Sequence, residues 1–473
     1  MDAPAVLALD QGSHATRAVL FDEHGTASAS ASVAIATQRT GEDRVEHDPV
    51  ALAESVHTAL RECLRQVPDR QVLAIGLATQ RSSLVCVRRS TGQALSPVLS
   101  WQDRRNAAWL EQLAPRAAQV RAMTGLPLSA HYGASKMRWC LDHLPAVQAA
   151  AGQGDLLIAP LSTFVLLRLT GAALVDAANA SRTLLWEPAR RDWSPTLLQW
   201  FGIERDWLPR CVDTCGDFGA RTGAGIPVTA MTGDQSAVPF AFGSADEHTL
   251  YVNLGTGAFV QRPLAVRPAR PEPLLGSVLR VQGDETLYSL EGTVNGAGSA
   301  VAWFVDTHHQ DESALWRRLE SAGALLRPPL FLNAIGGLGS PWWRPQEPSR
   351  WIGDGDLLER FAAVVESIAF LVAINVEYMS AEQSRPRRLL LTGGISRSDW
   401  LCRRLAALLR LPVSRSPAEA TARGAAALAA PQLARCWPQP DMQTFAPLPV
   451  PGLRERAQAF RVALESAQRN ASA

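Results

Sequence analysis

The spacing of apolar positions changes period several times along the chain, and each change predicts an element. The opening AVLALDQGSHATRAVLFDEHGTASASASVAI reads as three short strands. The first is a buried run ending at Asp10, the second is TRAVLFD, and the third, after the turn DEHG, alternates apolar and polar. PVALAESVHTALRECLRQV shifts to helical spacing, and EHDP ahead of it supplies capping and turn residues rather than metal ligands. VLAIGLATQ is an apolar strand ending in polar residues, and IPVTAM is another, followed by TGDQSA, Thr232 to Ala237. A second strand-rich stretch begins near 249, where TLYVNLGTGAFVQRPLAV repeats the strand, glycine turn, strand order of LALDQGSHATRAVLFD. LLERFAAVVESIAFLVAINVEYMSAEQ predicts a long apolar helix. RRLLLTGGISRSDWLCRRLAALL predicts a strand, a GG turn and a helix, and the Ala-rich 417–430 predicts a buried helix. Beyond about 437 the chain is Pro-rich and its pattern predicts no element.

Strands alternating with helices indicate an α/β architecture with central sheets. A chain of 473 residues exceeds one compact core, so two large domains are expected. The division is placed at GSADEH, residues 243–248, giving domains 1–245 and 246–437 and a tail 438–473. Hydrophobic residues at 47% and charged residues at 19% are ordinary for a soluble globular protein. A net charge of +1 offers nothing to attract nucleic acid or an anionic membrane. No run approaches the roughly 20 apolar residues of a membrane span. MDAPAVLALDQG carries an acid at position 2 and enters a strand directly, unlike a signal peptide. Seven scattered cysteines, of which only Cys211 and Cys215 lie close, suggest reduced thiols and a cytoplasmic setting. Lys136 is the one lysine, and a solvated position on a helix face is expected for it.

Four short segments bear chemistry. DQGS (Asp10 to Ser13) sets a carboxylate, Gly12 and a hydroxyl in a tight turn that can aim N–H groups at a phosphate while Asp10 holds Mg²⁺ through water. LGTGAF (Leu254 to Phe259) offers a second such turn. LTGGIS (Leu391 to Ser396) has two glycines after a strand, suited to close approach of a flat ligand. In TGDQSA, Asp234 is either a helix cap or a catalytic base held at a strand end.

The order of these segments resembles the two-domain ATP-binding fold of the actin–hexokinase type, a duplicated ribonuclease-H-like fold with a cleft between the domains. More narrowly, ALDQGSHATRAVLFD, VEHDPVAL, ATQRSS, SWQDRR, SKMRWCLDH, NASRTLLW, TGDQSA, LGTGAF, GLGSPWW, VESIAF and LTGGIS resemble the FGGY carbohydrate kinase family, glycerol kinases most of all. The resemblance runs from about residue 6 to 428. It implies phosphorylation of a small polyol or sugar by ATP and Mg²⁺, with a homodimer or a homotetramer as the alternatives for assembly. Asp234 then matches the catalytic base and Gln235 a substrate-binding amide. Arg81, Trp101 and Phe259 match the polyol pocket, and Asp10 the metal-linked acid. Gly12, Ser13, Gly255 and Thr256 match phosphate contacts, and Gly298, Gly394 and Ser398 nucleotide contacts.

Two positions depart from the glycerol kinase pattern: Ser82 stands where a glutamate follows the pocket arginine, and His131 where a tyrosine is usual, with Tyr132 one step along. Gly133 and Cys140 are milder departures. Both pocket positions touch glycerol hydroxyls in the family, so weak activity on glycerol is expected, and better activity on a larger polyol, a ketose or a sugar acid. A ketose or sugar-acid kinase and a non-catalytic sugar- or nucleotide-binding regulator are the alternatives. An Arg81 without its carboxylate neighbour would suit a carboxylated or carbonyl-bearing substrate.

Overall fold

The computed structural model describes residues 4–322, 326–381, 383–416 and 419–471. Ala5–Gln11 (β1) turns back into Ala15–Phe21 (β2), and Ala27–Ala34 (β3) follows, each antiparallel to the last. Val72–Thr79 (β4) lies parallel to β1 on its other side, and Val228–Gly233 (β5) parallel to β4. Being covered on both faces, β1 and β4 are nearly continuous apolar runs. One cover is the helix Pro49–Arg65 (α1), which buries Leu52, Val56, Ala59 and Cys63. Its start was legible: the Asp48 carboxylate accepts from the N–H groups of Val50 (2.7 Å) and Ala51 (2.9 Å), and proline opens the first turn.

The second sheet runs β8-β9-β7-β6-β10-β11-β12. Its strands are Thr249–Leu254 (β6), Ala258–Leu264 (β7), Leu275–Gln282 (β8), Glu285–Val294 (β9), Arg388–Thr392 (β10), Val413–Arg415 (β11) and Gln443–Phe445 (β12). β6 is antiparallel to β7 and parallel to β10, as β1 is to β2 and β4. The strip β9-β7-β6-β10-β11 therefore repeats the order β3-β2-β1-β4-β5, and the faint echo in the sequence is a duplicated topology. No strand is shared between the sheets, and residues 243–248, where we place the domain division, lie between them. A smaller five-stranded sheet, containing Leu84–Arg88 and Leu156–Pro160, and the helix Gly133–His143 (α2) complete the N-terminal half.

Two features depart from the sequence reading. The Ala-rich helix Ala420–Ala429 (α5), which the chain order assigns to the C-terminal half, packs on the N-terminal sheet. Ala422, Ala425 and Ala426 meet Val6, Ala8, Ala74 and Ala78. The contact is backbone-close, since a Cβ on Gly76 would lie 2.1 Å from the Ala425 carbonyl oxygen, and one on Gly424 2.0 Å from that of Ala237. Small residues face each other because nothing larger fits.

The segment past 437 is also not featureless. β12 pairs with β11, and the helix Leu453–Ala471 (α6) buries Leu453, Phe460 and Leu464 against the long helix Leu357–Ser380 (α3) and the strand Leu330–Leu332. Its stripe is one narrow line among charged residues, which hid it. No described helix is long and apolar enough to cross a membrane.

The contact between α5 and β4 leaves no room to relax. Gly76→Ala is expected to cost about 1–3 kcal/mol through overpacking, read as a lower apparent Tm. Gly152→Ala, at a helix end with nothing near its Cβ, should leave Tm unchanged or slightly raised.

Candidate active site

Strand register gathers the expected residues. Gln11 pairs with Thr79, and Thr79 with Gly233, so the ends of β1, β4 and β5 lie level. Asp10, Arg81 and Asp234 thus leave the same edge of three adjacent parallel strands, where α/β sheets bind ligands.

Arg81 does not stand free. Its Nη1 and Nη2 donate to Oε1 (2.8 Å) and Oε2 (3.0 Å) of Glu291, which is carried across from β9 of the other half. Arg182 donates to the same Glu291 carboxylate and to Ser277 Oγ (2.8 Å) on β8. The three side chains are only 8%, 4% and 3% exposed. Burial pushes Glu291 up, but the charges of Arg182 and Arg81 and their hydrogen bonds outweigh it and hold the carboxyl at about 2. The expectation of an Arg81 without a carboxylate is therefore overturned: the acid absent at position 82 arrives from 210 residues away. Gly233 makes this possible, because a Cβ there would strike Arg81 Cγ at 2.4 Å.

Asp234 occupies the first turn of the short helix Asp234–Ala237, and the cap position before it belongs to Gly233. Its Oδ1 takes the N–H of Gln235 (2.7 Å) and lies 4.0 Å from Arg81 Nε. Burial lifts its pKa above the ordinary value, against the pull of Arg81 and of Gln235. Asp10 is pushed up to about 7, by burial first and then by the negative charge of Asp234, which places the two carboxyls in one electrostatic neighbourhood. A cation between them would relieve both. Among the described residues no group of three or more acid, His or Cys side chains could hold a metal ion.

The remaining pocket residues form a linked shell. Trp101 Nε1 donates to Ser13 Oγ (2.9 Å), tying the first glycine turn to the pocket. His131 meets Trp101 edge-on, with 5.7 Å between ring centres, and Tyr132 at 4.9 Å. Desolvation, then the charges of Arg104, Lys136, Arg182 and Arg81, hold the imidazole well below its ordinary pKa and so neutral. Lys136 is not the solvated charge expected on a helix face. It is fully buried on α2, and its Nζ donates to the carbonyls of Ser82 (3.1 Å) and His131 (2.8 Å), fixing both loops. Ser82 has φ +64 and a buried hydroxyl without a partner among the described residues. Gln235 accepts from Asn253 Nδ2 (3.1 Å), and Phe259, partly exposed, pairs across the sheet with Asn253 and Thr293.

Beside Asp10 opens a cavity of about 900 Å³, lined among others by Arg17, Asn253, Gly394, Arg415, Glu419 and Asp441. Gly255 and Thr256 are exposed at the β6–β7 turn, and Gly298 packs its backbone on Gly255 (N to O 2.9 Å). Gly393 has φ +93 and lies against the Leu254 carbonyl, so only glycine fits, whereas Gly394 faces open space. Ser398 differs from expectation. Its hydroxyl donates to Glu320 (2.7 Å) and caps the helix Asp399–Leu409 (α4) by accepting from Leu401, and it does not line the cavity.

The sequence reading missed Glu291, Arg182 and Arg415. A carboxylate inside the apolar strand YSLEGTV and an arginine after the buried NAS were visible signals of paired burial. Their partners were not visible. Arg415, at the cavity wall, donates to the carbonyl of Ser396 (2.9 Å) and to Asp399 (2.9 Å).

Known proteins share this architecture. Residues 5–252 match the N-terminal domain of the FGGY family of carbohydrate kinases and residues 250–433 its C-terminal domain. The glycerol kinase of Rhodospirillum rubrum is 34% identical over 448 residues, 90% of each chain. That of Alcanivorax borkumensis is 32% identical over 446 residues, 90% of this chain and 89% of its own. In fold, the chain superposes on Plasmodium falciparum glycerol kinase with ADP at a TM-score of 0.87 (20% identity; 99% of this chain and 98% of that one). The score against gluconate kinase from Lactobacillus acidophilus is 0.84 (20% identity, same coverage). The chain belongs to the FGGY family of carbohydrate kinases and is an ATP-dependent carbohydrate kinase.

Proposed function

We propose that the protein transfers the terminal phosphoryl group of ATP to a hydroxyl of a small, uncharged polyol or ketose larger than glycerol, with Asp234 as general base. The observation that carries this reading is the charge balance around Asp234. Arg81 and Arg182 are matched by Glu291 and Asp234, so neither guanidinium is left to take a carboxylate from the substrate. A sugar acid is disfavoured for the same reason, since its carboxylate would have to displace Glu291 from a bidentate pair. Ser82 contributes a short neutral hydroxyl that has no partner among the described residues.

In this mechanism Asp234 accepts the proton of the attacking hydroxyl, and its raised pKa makes it a stronger base than an ordinary aspartate. Arg81, immobilised by Glu291, turns only its Nε toward Asp234 and keeps that carboxylate oriented. Trp101, His131 and Phe259 wall the carbon skeleton, with the neutral imidazole as a hydrogen-bonding edge. The N–H groups of Gly12 and Gly255 close their own turns on the carbonyls of Ala15 and Gly257, which leaves those of Ser13 and Thr256 to face the transferring phosphates, and Gly394 the adenosine. Asp10 would hold Mg²⁺, which when bound neutralises phosphate charge. Closure of the two halves excludes the water that would otherwise compete as acceptor.

The reading is tested by ADP release across matched neutral and acidic acceptors. Neutral four- to six-carbon polyols or ketoses should exceed both glycerol and the corresponding acids by at least about tenfold in kcat/KM, the worth of 1.4 kcal/mol. A preference for an acid would overturn the charge argument.

Asp234→Asn should lower kcat by about 10²–10⁴ while ATP binding stays near wild type. Because the base works only when ionised, wild-type kcat/KM should fall as pH drops through a value above the usual aspartate range. Nearly full activity in the variant would reduce Asp234 to a structural role.

Glu291→Gln removes the acceptor charge but retains shape. KM for the sugar acceptor should rise at least about tenfold, with KM for ATP little changed and Tm lowered, because two buried arginines lose their counter-charge. Equal changes in both KM values would show global loosening instead.

A further inference from the structure

A second cavity, of about 490 Å³, lies at the junction of the halves, away from the cleft. One wall is Arg280 and Leu287 from the two strands of the β8–β9 hairpin, and the opposite wall is α5 with the segment through Arg435 and Trp437. Its rim includes Gly243, Ser244 and Ala245, in the connection between the two large sheets. The volume is that of a small-molecule site, and the lining is electrostatically one-sided. Arg280, Arg423 and Arg435 contribute to it and no aspartate or glutamate does, although the chain as a whole is near neutrality. The counter-charges are weak or absent. Arg280 meets only Glu285 (3.2 Å), whose side chain is 80% exposed, so that pair is worth little. Arg435 has no ion pair among the described residues. Arg423, 4% exposed, is held by the carbonyls of Ala241 (3.2 Å) and Pro438 (2.8 Å) and stacks over Trp437 at 5.1 Å, again without a described acid partner. Phe240 and Trp437 provide flat apolar walls beside these cations, with Arg280 lying over the Phe240 ring at 5.8 Å.

We propose that this cavity binds a small organic anion with a planar or apolar body. The anionic group pairs with Arg280 and Arg435 at the mouth, and the body packs between Phe240, Leu287 and Trp437. The site touches the catalytic cleft through covalent structure. β8 carries both Arg280 and Ser277, a partner of Arg182, and β9 carries both Leu287 and Glu291. A ligand bridging the hairpin and α5 contacts both halves, so its affinity depends on their relative position. The binding claim itself does not rest on the chemistry proposed above.

The probe is 1-anilinonaphthalene-8-sulfonate, titrated into the full-length protein by calorimetry in the presence of saturating MgADP. One saturable site is expected, weakened at least tenfold by Arg280→Gln with Arg435→Gln. Uncharged N-phenyl-1-naphthylamine should bind at least tenfold more weakly than the sulfonate. Ala434→Trp, which fills the cavity from its wall without touching the arginines, should abolish binding while the circular dichroism spectrum stays native. Binding that survives both sets of variants, or that MgADP eliminates, places the anion elsewhere and overturns the proposal.

Discussion

A carboxylate as deeply buried as Glu291 costs several kcal/mol if left unpaired, and this one sits where two halves of the chain meet. Its stability depends on two arginines that reach it from the opposite half, Arg81 on both oxygens and Arg182 sharing Oε2. That requirement constrains much of the site. Arg81 has to cross the backbone of Gly233, which is why no side chain is tolerated there. Arg182 has to follow a short buried helix that fixes its origin, and Ser277 has to take the hydrogen bond that Glu291 leaves over. With these groups satisfied, the neighbouring Asp234 is the carboxylate left with only a distant cation, 4.0 Å away. The two carboxylates thus differ: Glu291 is held ionised by its arginine partners, whereas burial raises the pKa of Asp234 against the pull of Arg81.

The duplicated sheets explain how such a site can exist between two bodies. In each half a glycine turn follows the first strand and joins it to an antiparallel second. What joins the halves is uneven. At Glu291 the contact is ionic and directional. Beneath α5 it is a backbone-to-backbone fit of alanine and glycine that admits little sliding. At the hairpin tip it opens into a cavity rimmed by the connecting chain. A rigid seam beside a looser one is a physical basis for hinge motion.

Lys136 and Ser398 show how side chains with catalytic-looking chemistry serve position instead. The lysine gives its hydrogen bonds to the carbonyls of Ser82 and His131, so a buried amine fixes the two loops that carry them. The serine caps α4 and anchors Glu320, holding the strand-to-helix turn whose preceding glycines line the nucleotide-sized cavity.

Read by itself, the sequence determined the alternation of strands and helices, the cap at Asp48, both glycine turns and the position of Asp234 at a strand end. Each of these is encoded within a few residues, by apolar spacing or by a backbone conformation that few side chains permit. Departures at Ser82 and His131 were equally visible, but the inference that Ser82 leaves Arg81 without a carboxylate was wrong. Whether Arg81 has a carboxylate partner depends on Glu291, and whether α5 covers its own half or the other depends on Gly76. Neither pairing leaves a local trace, because a charge or a glycine in one strand carries no mark of the distant segment that will meet it. Only the tertiary structure, by bringing β4, β5 and β9 to one edge, decided that Arg81 is paired with Glu291, that Lys136 is buried, and that Leu453, Phe460 and Leu464 form part of the core.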